Sequence, residues 1–342
     1  MQFGFKMSPS TYNKSGSGGC NLFLYHHKIL RSPPRSEPSL PPILGRFGHK
    51  GFELYTDRID EEKVNSFMSP GDIAKTIIGL MPKDMDQKFI HHVVPHVVGF
   101  SRYEFNRLQR LRDLLGQNDE VFHWYKPVAQ EYTIDDMTIG INTRVDVIYP
   151  IPPGLYGNHP ACLEVGDYKT GKVPPCSHGL KTEKKTGKTT KVPIEMTDEV
   201  ETQIMFGTLF LRHFGIMGIP DPNILFGKVI YTKDGTTVTQ QVTEQLLEKV
   251  FEGLKKIQNI VETNGYSFNS WKCGKFHCDY EHVCLRSLKI DLAERALLLR
   301  LYKKDRDAAG QKLFNFVNEI HASLNAESTI EVLEEEEGES EW

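Results

Sequence analysis

The hydrophobic pattern changes period near residue 128, and few folds accommodate both halves of that change. Upstream, residues 72–115 read as a largely helical stretch, interrupted at Pro82 and Pro95. Downstream, residues 128–134 and 139–149 read as strands, the second rich in β-branched side chains, and 161–169 as a third. Asp198 is placed to cap a helix, with Glu201 three residues later, that runs to about Phe214. Residues 224–232 and 236–242 form a strand pair about an Asp234-Gly235 turn, followed by a helix over 244–261. The order helix, strands, helix, strands, helix predicts an α/β core with helical additions.

Around this core the sequence is less regular. Residues 15–19 are rich in Gly and Ser, and 32–42 are crowded with prolines, which favours extended or turning backbone. Between them 22–30 could form a short helix, and a helical pattern resumes at Gly45. A polar, lysine-bearing segment over 174–191 reads as a long mobile loop. A last helical region occupies about 288–324. The resulting division is an N-terminal arm (1–44), a core (45–285) with a helical insertion at about 70–118, a C-terminal helical region (286–330) and an acidic tail (331–342).

The formal net charge is −4, a total inflated by the acidic tail, with the rest of the chain close to neutral, so the chain is not a polycation of the histone type. No apolar run is long enough to span a bilayer, and the first residues lack the apolar core of a secretory signal. An intracellular, reducing compartment is therefore expected, the cytoplasm for a prokaryotic or viral source. There the six cysteines point to metal binding rather than to a disulfide framework.

Two segments carry chemistry. Residues 140–146 place Asp146 in a strand, and 164–172 place Asp167 and Lys169 two apart at a strand's end. Alternation puts Asp167 and Lys169 on one face, where the ammonium can sit beside a metal held by the aspartate. Phosphodiester cleavage needs an ion that neutralises the phosphate and lowers the pKa of a water. Hard ions such as Mg²⁺ or Mn²⁺ take oxygen ligands, and a nearby lysine can stabilise the added charge. Surface ion pairs of Asp146 with Arg144 and of Asp167 with Lys169 are the plainer alternative. Separately, Cys273, Cys278 and Cys284 are spaced C-x4-C-x5-C, close enough for an iron–sulfur cluster or, with His277 and His282 nearby, for zinc.

An acid, a gap and then Asp-x-Lys-Thr-Gly-Lys resembles the PD-(D/E)XK nuclease superfamily in its RecB-like branch, AddB-like and CRISPR-associated nucleases included. That branch has a Gly-x-x-x-His segment upstream, which Gly45-Arg-Phe-Gly-His49 matches. The resemblance implies a mixed central sheet flanked by helices. It implies a metal held by His49, Asp146, Asp167 and the Tyr168 carbonyl, with Lys169 and Gln203 as catalytic residues. Glu53, one turn after His49, could support it or be a solvated helix residue. Where members often carry a tyrosine four residues after the glutamine, this chain has Gly207. Iron–sulfur members place one cysteine before the core and three after it. Here Cys20, after Ser8-Pro9-Ser10, would join Cys273, Cys278 and Cys284 around a [4Fe-4S] cluster. The late spacing departs from the usual C-x2-C-x5-C.

The implied activity is hydrolysis of DNA by an exonuclease, acting on single strands or duplex ends in replication, repair or recombination. An endonuclease of the same fold, or a non-catalytic DNA-binding subunit with a structural cluster, are the alternatives. Lys181, Lys184, Lys185, Lys188 and Lys191 could contact backbone phosphates, and Tyr168 and the aromatic run 122–125 could stack bases. The same lysines read equally as a solvated loop, and the aromatics as core. A protein partner could dock on the C-terminal helical region.

Overall fold

Three strands open the sheet: β1 (Ala129–Asp136), β2 (Ile141–Ile151) and β3 (Cys162–Lys169). A small hairpin of β4 (Leu180–Thr182) and β5 (Thr189–Lys191) follows, then β6 (Ile224–Tyr231) and β7 (Thr236–Gln241). The computed structural model describes residues 6–15, 20–24, 27, 40–81, 87–116, 120–174, 180–182, 189–191, 194–216, 219 and 222–263. The chain divides into two units, one of Met1–Pro9 with Pro38–Phe251, the other of Ser10–Glu37 with Glu252–Trp342.

The sheet runs β1-β2-β3-β6-β7. Every neighbouring pair is antiparallel except β3 with β6, where Asp167 lies across from Val229 and Lys169 from Tyr231. A parallel pair needs a long crossover. Its helix is α8 (Asp198–Phe214), which packs back on β2, β3 and β6. The strand pattern expected from the sequence is present with its ends moved by two residues or fewer, and the α/β core is mixed, with helices flanking the sheet.

Ahead of the sheet come α3 (Leu40–Arg58), α4 (Glu61–Ser66), α5 (Pro70–Leu80), α6 (Gln87–Leu115) and α7 (Glu120–Tyr125). Their apolar stripes meet Val147, Tyr149, Ile151, Tyr168 and Ile230 of the sheet in one buried cluster. Phe52 and Phe100 stack within it at 4.1 Å between ring centroids. Each such fully buried aromatic contributes about 1.5–3 kcal/mol. Val165 and Tyr168 are three apart in β3 and so face opposite ways. Tyr168 enters the α3/α6 layer, while Val165 meets Gly207 of α8.

Several expectations need correction. The segment 174–191 is not wholly a loop, because it holds the β4–β5 hairpin, in which Leu180 lies across from Lys191 and Lys181 from Thr190. Pro95 does not interrupt α6, which continues through it. Val93, Val97 and Phe100 are buried on either side, and that packing outweighs the hydrogen bond the proline cannot make. Helix α3 begins at Leu40, with Pro41 and Pro42 in its first turn, where an amide proton has no intrahelical partner anyway. The cap of α8 is Thr197, one residue before the expected Asp198; its hydroxyl accepts from the Val200 amide. Tyr125 and Tyr168 are core residues, 0% and 5% exposed, and so cannot stack bases.

In the second unit, α1 (Pro9–Ser15) ends with the Ser15 hydroxyl on the Thr11 carbonyl at 2.6 Å. The Cys20 amide donates to the Lys14 carbonyl at 2.9 Å, just before α2 (Asn21–Leu24). In α9 (Glu244–Glu262), the last helix among the described residues, Gly253 lies directly against the Tyr12 ring. The expected helix over 288–324 and the acidic tail lie outside the described residues.

Candidate active site

Residues from five elements converge where the C-terminal end of β3 meets both helix layers. His49 comes from α3, Asp146 from β2, and Asp167, Tyr168 and Lys169 from β3. Gln203 comes from α8, and β1 supplies Glu131, a residue the sequence reading passed over.

Tyr168 organises the centre through its backbone. Its amide donates to Asp146 Oδ2 at 2.7 Å, and its carbonyl lies 3.0 Å from His49 Nε2. With Nε2 donating its proton to that carbonyl, Nδ1 is left as a lone-pair donor, the arrangement that fixes the tautomer of a ligating histidine. Nδ1 faces Asp146 Oδ1 at 3.8 Å and Glu131 Oε1 at 3.9 Å. These distances are too long for hydrogen bonds. They suit three donors around one ion, and the ligand atoms of His49, Glu131 and Asp146 all lie within 4.8 Å of one another.

Asp167 sits beside this trio, with Oδ2 2.9 Å from Lys169 Nζ. Lys169 Nζ also donates to Gln203 Oε1 at 2.7 Å, so the glutamine holds the lysine. Of the plainer alternative, the Asp167–Lys169 pair forms, but Asp146 and Asp167 are buried rather than at the surface, 6% and 4% exposed, and Arg144 pairs with Glu131 at 2.7 Å. Glu53 pairs with Lys50 at 2.8 Å, its carboxylate is close enough to help raise Glu131, and its carbonyl accepts from the Gln130 side chain.

The electrostatics fit a cation. Burial, and then the neighbouring Asp167 carboxylate, push the Asp146 carboxyl well above the usual range. Burial likewise raises Glu131. Burial also lowers His49, which keeps the imidazole neutral and able to ligate. Burial pulls Lys169 down, but the carboxylates of Asp167, Asp146 and Glu199, Asp167 foremost, together more than offset this and leave the ammonium above its ordinary value. Three carboxylates face two cationic side chains, an excess of negative charge that a divalent ion would balance.

Glu131 has one further peculiarity. Among the described residues it is the only non-glycine with φ in the left-handed region, at +47°. Its neighbours explain why. The Gln130 amide donates to the Glu53 carbonyl at 3.1 Å and its oxygen meets the Thr56 hydroxyl, while Tyr132 pairs with Val145. Held on both sides, the backbone turns at 131 and aims the carboxylate at His49. A signal for it exists in the sequence. Pairing Asp136 with Ile141 across the turn, and counting back, places 131 opposite 146.

Of the other expected site residues, Cys20 is buried in the second unit, whereas Cys273, Cys278 and Cys284 lie outside the described residues. Lys181 and Lys191 are on the β4–β5 hairpin, and Lys184, Lys185 and Lys188 lie outside the described residues. Among the described residues no helix is long and apolar enough to cross a membrane. No family model matches the chain, and no curated protein matches it.

Proposed function

We propose that the chain is a metal-dependent deoxyribonuclease with a RecB-like PD-(D/E)XK core, acting as an exonuclease on single-stranded DNA or duplex ends. The observation that carries this reading is the meeting of His49, Asp146, Asp167 and Lys169 at one place, although 120 positions separate the first from the last. Glu131 adds a second carboxylate to the His49 nitrogen and the Asp146 carboxylate, and this mixed oxygen and nitrogen set suits Mg²⁺ or Mn²⁺. When bound, such an ion supplies charge neutralisation at the phosphate and a water of lowered pKa.

The side chains have separable tasks. His49, Asp146 and Glu131 would hold the ion, with Asp167 at its border. Lys169, steadied by Gln203 and Asp167, presents an ammonium that can orient the attacking water or stabilise the charge that builds on the phosphate. The lysines of residues 181–191 would bind backbone phosphates in a salt-dependent manner. The same reading includes an iron–sulfur cluster on Cys20, Cys273, Cys278 and Cys284. Iron and sulfide analysis of anaerobically purified protein tests it, since zinc there would leave the protein colourless.

The deciding experiment is degradation of end-labelled linear and circular single-stranded DNA with Mg²⁺ or Mn²⁺, using the wild type and Lys169→Ala. Loss of linear but not circular DNA, abolished by the substitution and by a chelator, is the expected result. Cleavage of circles would make the enzyme an endonuclease. Equal cleavage by the folded variant, or none by the wild type, would overturn the catalytic assignment and favour a DNA-binding subunit.

A further inference from the structure

Behind the candidate site, Tyr168 extends a phenol into the α3/α6 layer, where its hydroxyl lies 3.0 Å from the Tyr149 hydroxyl. Tyr149 in turn donates to Glu104 Oε1 at 2.7 Å. A carboxylate only accepts, so the direction is fixed along the chain: Tyr168 donates to Tyr149, and Tyr149 to Glu104. Glu104 is completely buried and is balanced by Arg107, whose Nη2 and Nε lie 2.9 and 3.3 Å from Oε2. Arg107 is itself fixed: Nη2 donates to the Tyr125 carbonyl at 2.6 Å, and the guanidinium lies between the Tyr125 and Tyr149 rings, 4.2 and 4.0 Å from their centroids.

An ion pair and two phenols here are a costly way to fill a core. Apolar residues of the same volume are often as stable or more so. What the polar chain adds is position. Tyr149 is three residues beyond Asp146 on β2, and Tyr168 carries on β3 both the amide that binds Asp146 and the carbonyl that meets His49. A shift of the Tyr168 phenol would therefore move both of those backbone contacts together.

We propose that the buried relay from Tyr168 through Tyr149 to Glu104, anchored by Arg107, is a positioning device that sets the Tyr168 backbone and, through it, the spacing of His49 and Asp146. Glu104 and Tyr149 are then positioning residues, touching neither ion nor substrate. The inference rests on the reading of this place as a cation site.

The test is Mn²⁺ affinity, measured by electron paramagnetic resonance without substrate, beside thermal unfolding of each variant. Tyr149→Phe and Tyr168→Phe each remove one oxygen and keep the ring. Each is expected to weaken Mn²⁺ binding roughly tenfold, the usual cost of losing an outer partner of a metal ligand. The double variant should lose no more than either single one, because both break the same relay. Tyr55→Phe, which removes a buried hydroxyl bonded to Tyr125 at 2.7 Å, is the control and should leave the affinity unchanged. If the relay variants melt earlier but bind Mn²⁺ like the wild type, the relay is structural only and the inference fails. If the wild type binds no Mn²⁺, the cation site itself is refuted, and the inference with it.

Discussion

Glu131 holds a left-handed φ of +47° in the middle of β1, a conformation that costs a non-glycine residue about 1–3 kcal/mol. It is also partly buried, with its carboxylate partly desolvated. Both penalties vanish in Glu131→Gly, which should raise the unfolding free energy in urea by about 1 kcal/mol. The same variant should bind Mn²⁺ more weakly, a trade of function for stability. A variant no more stable than wild type would show that the turn is unstrained. The residue escaped the sequence reading because nothing local marks it; only the hairpin register does. Lys169 and Asp167 were legible, since two positions in one strand share a face. The grip of Gln203 on Lys169 required knowing where α8 sits, which the resemblance supplied and the periodicity did not.

Helices α6 and α8 approach the sheet through glycines, and the two contacts differ in kind. A Cβ at Gly99 of α6 would fall 2.2 Å from the Thr232 carbonyl oxygen and 2.6 Å from the Lys233 carbonyl, both main chain. One at Gly207 of α8 would meet side chains alone, Val145 at 2.5 Å and Val165 at 3.9 Å. Backbone cannot step aside as a methyl can. Gly99→Ala should therefore cost about 3 kcal/mol and Gly207→Ala about 1 kcal/mol, compared by urea unfolding. Equal costs would mean that α6 shifts as a body. The contact at Gly207 also explains why no larger side chain stands there. The strands and long helices were readable because period and turn chemistry agree. Continuity of α6 through Pro95 was not, because it depends on burial of Val93, Val97 and Phe100 against partners remote in sequence. The β4–β5 hairpin was missed because three-residue strands carry no period to detect.

Taken as a whole, the larger unit buries many phenols. Burial raises the pKa of Tyr55, Tyr103, Tyr125, Tyr149, Tyr156 and Tyr168. In the unfolded chain a tyrosine ionises near pH 10, so above that pH the unfolded state binds fewer protons than the native one. The stability they contribute is complete below about pH 10 and is lost as the pH rises further, by up to about 1.4 kcal/mol per unit for each tyrosine. Lys228 acts in the opposite sense. Burial lowers its pKa, so it favours folding increasingly with pH up to about 10.4, but it is one group against six. Urea midpoints should fall steeply between about pH 10 and 11, and less steeply in Tyr149→Phe. A flat profile would mean that the phenols already reach water. The strand that carries Asp167 and Lys169 has a hydrogen-bonded neighbour on each side, β2 and β6. Its amide protons should then be among the last to trade with deuterium, leaving only when the whole sheet comes apart. Ligands can come and go at the rim while the strand beneath them stays closed, so the ageing of this protein should first show elsewhere.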